Sequence, residues 1–370
     1  MTTRERFLAT MRYQPVDHVP DYEFGFWDDT FKRWHQQGLP EEINSNSNCD
    51  PFFGFERKSG VPGVGGLLPG FESKVLEEHA DHRIIQDGDG VKKIVYTDGA
   101  DTIPRYLEFP IKDRASWEEF KYRLDINDPR RQRDDWEEIG RRTRESEDPV
   151  QIGCGSLFGQ LRNWIGFEGI ALMCYDDPEL LEEMIEHRCQ MALAAIEPAV
   201  EHCQLDMGAF WEDINFKQGC IISPPMFHRW LTPRYKRITD KLREGGAEFC
   251  YVDSDGKVLD VVQGWLDGGV NIMFPVEVAA GSDPFEIRRR WGEAGRMMGG
   301  VNKRVLAAGP KAIDEEMARL KPLVDEGGFI PHVDHRVPPD VSYADYLYYL
   351  RRKRETFGIP EPTDAPMFNV

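Results

Sequence analysis

The chain has 370 residues, 40% hydrophobic and 30% charged, enough apolar material for a large core and not the composition of a disordered polymer. Its formal net charge of −19 argues against nucleic-acid binding, because neutralising phosphates takes clustered Lys and Arg. No apolar run reaches the ~18 residues of a membrane span. The opening MTTRERFLATMRYQPVDHVP has no apolar segment before a cleavage site, so no membrane association and a cytoplasmic location are expected.

In chain order, HVPDYEF (18–24) reads as a first strand. NSNSN (44–48) with Cys49-Asp50-Pro51, and the Gly/Pro-rich stretch 60–70, read as loops. Residues 79–110 alternate apolar and polar side chains around Gly88, Gly90 and Gly99, which predicts a small antiparallel insertion within a single domain spanning 1–370. From about residue 150, short apolar runs alternate with amphipathic helices. Strands are expected at 149–155, 206–213, 248–255, 270–277, 296–300 and 327–335. Helices are expected at 178–200, 224–244, 258–266, 284–293, 312–324 and 343–354. Caps and breakers support these bounds: Asp177 before Pro178, Ser223 before Pro224, Asp283 before Pro284, and Gly245-Gly246 after the second helix. Strand–helix alternation over some 200 residues predicts a parallel sheet with helices outside it. The seven cysteines show no CxxC spacing, and an odd number in a chain this long reads as free thiols in a reducing compartment.

In a (β/α)8 barrel the active site lies at the C-terminal ends of the strands. The polar residues there are Glu23, then Trp211, Glu212 and Asp213, then Asp253 and Asp255, then Glu277, and finally His332, Asp334 and His335. Carboxylates crowded at one mouth repel each other unless a cation, a proton or a cationic substrate compensates. No lysine or arginine stands at these strand ends before Arg336, so a bound divalent metal is the simplest compensation. Oxygen ligands with one imidazole suit Zn²⁺, Fe²⁺ or Mn²⁺. The alternative for Asp253 and Asp255 is a tight turn with Gly256.

The phrases RERFLATMRYQPVDHVP (4–20), WEDINFKQGCIISPPMFHRWLTPRYKRI (211–238), YVDSDGKVLDVVQGWLDGGVN (251–271), FPVEVAAGSDP (274–284), MGGVNKRVLAAG (298–309) and GGFIPHVDHRVPPDVSYADY (327–346) resemble the uroporphyrinogen decarboxylase superfamily. That resemblance implies a (β/α)8 TIM barrel with the small N-terminal β insertion. The segment after the first strand, EFGFWDDTF (23–31), lacks the arginines with which true porphyrinogen decarboxylases hold their substrate. An acidic, aromatic wall there disfavours a polyanionic porphyrinogen. The zinc methyltransferases of the superfamily carry His-x-Cys-Gly where this chain has Asp253-Ser254-Asp255-Gly256, a glutamate that falls on Glu277, and a cysteine that falls near His335.

The resemblance thus implies a metal-dependent methyltransferase that demethylates a small methoxylated or methylated substrate and passes the methyl group to a separate corrinoid protein. The expected metal ligands are Asp255, Glu277 and His335, with zinc the first choice. Glu212, Asp213 and Asp253 are the expected catalytic acids, with Glu212 or Asp213 protonating the leaving oxygen. Glu23, Phe26, Trp27, Trp211 and His332 are the expected substrate-binding residues. Cobalamin is expected only on a partner, since the chain has no Asp-x-His-x-x-Gly module. Homodimerisation is expected by resemblance. The alternative is a metal-free decarboxylase or lyase on the same fold, with His335 and Asp255 moving the proton; a barrel kept only as a binding protein is the third.

Overall fold

The computed structural model describes residues 1–96 and 104–362. Seven parallel strands form the central sheet: β1 (Ser59–Val61), β6 (Val150–Gly155), β7 (Met207–Trp211), β10 (Phe249–Asp253), β11 (Ile272–Val276), β12 (Arg296–Val301) and β13 (Phe329–Val333), paired in that order. The insertion between β1 and β6 is a four-stranded antiparallel sheet of β2 (Lys74–Glu78), β3 (His82–Gln86), β4 (Lys92–Tyr96) and β5 (Arg105–Glu108). It starts at Lys74, ahead of the expected residue 79. Its turn at Gly99 lies outside the described residues. A short hairpin, β8 (Asn215–Phe216) and β9 (Gly219–Cys220), follows β7.

The two edges of the sheet, β1 and β13, are joined through the extended segment 19–27. Asp21 O accepts from Glu56 N at 3.0 Å on the β1 side. On the β13 side Gly25 O accepts from Val337 N at 2.9 Å, and Phe26 bridges Val337 in parallel. The architecture is therefore TIM-barrel-like, with an irregular extended segment in the eighth position. HVPDYEF does not form the regular strand expected of it. The carboxylate of Asp21 and the carbonyl of Tyr22 instead pair with Lys353 on the last helix.

The helices outside the sheet follow the apolar pattern. Helix 178–202 opens on Asp177, whose side chain accepts from Leu180 N. The expected helix 224–244 is two helices, 224–230 and 232–244, broken at Leu231, with Pro233 in the first turn of the second. The stretch 44–51 is expected as a loop, but residues 46–53 form a helix. Ser45 and Asn48 cap each other's backbone, and Cys49, Phe52 and Phe53 are buried. The stretch expected as a loop from Gly60 begins inside β1. All seven cysteines are free and six are buried. Among the described residues no helix is long and apolar enough to cross a membrane.

Candidate active site at the strand ends

The alternation of β10 decides which of its acidic residues face inward. Ser254 is fully buried, and its hydroxyl accepts from Ile214 N and Asn215 Nδ2. A strand places successive side chains on opposite faces. Asp253, the last residue of β10, lies on the face of Tyr251, and Asp255, just beyond the strand, is placed by its pair with His335. The turn reading holds as well: Gly256 adopts φ +88°, and a Cβ there would lie 2.5 Å from Asn215 O.

Asp255 Oδ2 pairs with His335 Nε2 at 3.0 Å. Asp255 Oδ1 and His335 Nδ1 are both buried and without a partner among the described residues. Each costs free energy unless a bound ligand satisfies it. The His335 ring stacks on Trp27 at 5.4 Å and meets the edge of Phe24 at 5.8 Å. Burial works against charging this imidazole, but the Asp255 carboxylate outweighs it and the pKa is raised.

Asp213 enters the same cluster from the loop after β7. Its φ of +53° turns the chain sharply, a conformation Asp tolerates better than most residues. Its Oδ1 accepts from Asp255 N at 3.3 Å, and Arg162 binds its carbonyl. Burial and the neighbouring Asp255 raise its pKa. Asp253 is shifted most: burial, then Asp255 and Asp213, push its carboxyl up to about 8. At neutral pH it therefore carries a proton.

Several expected site residues have other work. Glu212 is fully buried beneath the mouth. It accepts from Leu157 N, Phe158 N and Gly159 N at 2.7–2.9 Å, from Ser156 Oγ at 3.0 Å and from Tyr235 OH at 2.6 Å. These five bonds make it a clamp on the loop after β6 rather than a proton donor. Phe26 is 1% exposed and packs among Phe31, Trp34, Phe53 and Tyr346; it belongs to the core, not to a substrate wall. His332 is buried, and burial holds its pKa down to about 3, so it is a neutral ring against Phe274. The Glu23 side chain is tied to Tyr349 and Lys353 in a buried network, with one oxygen left unpartnered. Trp211 stands at the rim with the Arg162 guanidinium 5.7 Å from its ring.

Glu277 is the third member of the expected metal set. Its Oε2 accepts from Gly256 N and its Oε1 from Lys303 Nζ, each at 2.8 Å. Both oxygens are committed, one of them to an ammonium that already supplies positive charge. Among the described residues no three His, Cys, Asp or Glu side chains are grouped to hold an ion. The set Asp255, Glu277 and His335 thus does not fit a three-ligand divalent site.

The premise of a mouth without basic residues is corrected with it. Lys303 stands two residues beyond β12 and Arg162 lies on the helix after β6, both at this mouth, whereas Lys58, just before β1, enters from the opposite end of the strands. In the sequence Lys303 falls beyond Gly300, where its strand is expected to end. Lys58 is hidden there because a three-residue strand leaves no periodic signal.

Residues 100–351 match the family model described as uroporphyrinogen decarboxylase (URO-D). Among solved structures, a methyltransferase from Methanosarcina mazei superposes with a TM-score of 0.59, covering 96% of this chain and 99% of that one at 14% identity. At that identity the likeness is one of fold. A search of curated protein sequences finds no significant match.

Proposed function

The chain belongs to the uroporphyrinogen decarboxylase family, and from that premise we propose that it is an enzyme that removes a methyl group from a small methoxylated or methylated compound and passes it to a separate corrinoid protein. The observation that carries this reading is the buried cluster of Asp213, Asp253, Asp255 and His335, in which burial and the neighbouring carboxylates push the Asp253 carboxyl up to about 8. An ether oxygen leaves poorly as an anion and needs a proton as its bond to the methyl carbon breaks. The balance is simple. Reduced cobalt on the partner supplies the electron pair for the new bond to methyl. The pair of the C–O bond stays on oxygen, and that oxygen takes the proton of Asp253.

Asp255 would hold His335 in place, and Trp27 and Phe24 would present aromatic surface to the substrate. No step is routed through a bound metal, because Glu277 is already paired with Lys303. The Methanosarcina protein, named a methyltransferase, supports the same reading through its shared fold.

A second reading draws on the same proton. Loss of CO2 from a small carboxylated substrate leaves a carbanion, which Asp253 could protonate, and the His335–Asp255 pair is built for such proton traffic. One assay separates the two. Purified protein is mixed with a panel of methoxyarenes and methylamines and a reduced corrinoid protein, and the cobalt spectrum is followed. Methylation of cobalt with appearance of the demethylated product is the expected result, slowed roughly 100-fold or more in Asp253→Asn, the usual size of a lost general acid. No transfer from any member of the panel sinks the first reading, and release of CO2 from a carboxylated substrate would establish the second.

A further inference from the structure

The register of the sheet shows which residues line the barrel interior. Ala209 pairs with both Gly153 and Tyr251, and Gly60 pairs with Gln151. Partners in a parallel sheet point to the same side, so Gly60, Gln151, Gly153, Ala209, Tyr251 and Asp253 share the inner face. Inner positions of a barrel are ordinarily filled by bulky branched side chains. Here three of the six are glycine or alanine. A Cβ added at Gly60 or Gly153 would meet nothing within 4 Å, and both glycines are exposed. The interior is open on this side.

Lys58 projects toward that space. Its ammonium lies 5.1 Å from the centre of the Tyr22 ring and 5.7 Å from that of Tyr251. Tyr251 OH donates to Gln151 Oε1, which fixes the wall beside it. Among the described residues Lys58 Nζ makes no hydrogen bond and no ion pair. The carboxylates of Asp50 and Asp253 act on it only through space. A cavity of about 390 Å³ adjoins it, bordered by Tyr22, Glu23, Asp50 and Gln151. Glu23 is already compensated by Lys353. Lys303 is committed to Glu277, Lys353 to Asp21 and Glu23, and Arg162 to Asp213; Arg336 lies over the Trp27 ring, and Arg57 borders the same cavity as Lys58. Among these, Lys58 is the unpaired cation set between the Tyr22 and Tyr251 rings inside the barrel.

A lysine held largely out of water against two aromatic faces is costly unless an anion meets it. Asp253 lies two residues beyond Tyr251 on the same face, about 7 Å further along the strand. A single negative charge and a proton donor's target could thus sit at opposite ends of one small molecule lying along Tyr251. We infer that Lys58 anchors a carboxylate of the substrate, and that the substrate is a small organic acid bearing the transferable methyl group, of the kind represented by a methoxybenzoate. The inference rests on the proposed reaction for the methyl group alone; the anion anchor stands on the geometry of Lys58.

Calorimetric titration tests it without any methyl acceptor. The probes are the methoxybenzoate isomers and the corresponding neutral methoxybenzyl alcohols, against wild type, Lys58→Gln and Lys58→Arg. Wild type is expected to bind at least one methoxybenzoate ten-fold or more tighter than its alcohol. Lys58→Gln should lose that preference, and Lys58→Arg should keep most of it. Equal binding of acid and alcohol, no binding of any acid, or a preference that survives in Lys58→Gln overturns the anchor. If Lys58→Gln does not fold, the wild-type preference and the arginine variant still decide. Methyl transfer to the corrinoid protein can fail while this preference holds, and the reverse, so the two failures are distinguishable.

Discussion

Asp253 ties activity and stability to pH in the same direction, both falling as pH rises. Its folded pKa of about 8 lies above its ordinary value of 3.8, so the native state binds a proton that the unfolded chain has released between these limits. The resulting penalty is absent below about pH 4, grows by about 1.4 kcal/mol for each pH unit climbed, and is complete near pH 8. Asp253→Asn removes the penalty. Thermal melts are expected to show the variant more stable than wild type at pH 8, with the gap closing toward pH 4. Wild-type activity is expected to fall as pH rises through about 8, where the acid loses its proton. A variant that melts below wild type at pH 8 would contradict the buried, crowded environment. Reading strand ends in the sequence found Asp213, Asp253, Asp255 and His335, and the structure brings these together; Trp27, expected as part of an aromatic wall, stacks on His335. The same reading put Glu212 and His332 in the site, because a polar residue at a strand end serves backbone N–H groups as readily as a substrate, and the sequence does not say which.

At the scale of elements, the loop between β6 and its helix depends on a residue 53 to 56 positions away. Glu212 takes up three successive N–H groups at 157–159 together with the hydroxyls of Ser156 and Tyr235. Gly159 is required beside it, since a Cβ there would collide with the Glu212 backbone carbonyl. Glu212→Ala strands these donors in a buried place, and a loss of roughly 3–5 kcal/mol is expected, as for other buried charged groups whose partner is removed. Urea denaturation monitored by tryptophan fluorescence measures it; a midpoint unchanged from wild type would show that water takes over the five bonds. Long elements were legible because caps and a sustained apolar period are local signals: helix 178–202 differs from its expected bounds only at its end. The three-residue β1 and the helix 46–53 were not. One is too short to show a period, and the other hides three buried side chains behind a polar opening.

On the scale of the whole molecule, the irregular segment 19–27 that joins the two sheet edges is locked to the last helix by an ion network. The Lys353 side chain is fully buried; it pairs with Asp21 at 2.9 Å and Glu23 at 3.1 Å and donates to Tyr22 O at 2.7 Å. Arg354 adds a second cation on Asp21 at 2.9 Å. Lys353→Met leaves two buried carboxylates short of a counter-charge, and a loss of about 3–5 kcal/mol is expected, partly recovered when Glu23→Gln is added. Differential scanning calorimetry reads both variants, and a single variant as stable as wild type would show that this join rests on packing alone. The sequence by itself determined the order of strands and helices, the family motifs and most of the acidic cluster, because periodicity, caps and strand ends are written within a few residues of one another. Only the tertiary structure decided how that acidic charge is balanced. Lys303 is 26 positions from Glu277 and Lys353 is 330 from Glu23. Coulomb attraction depends on separation in space, and that separation is set only when the sheet curls round and joins its first segment to its last helix.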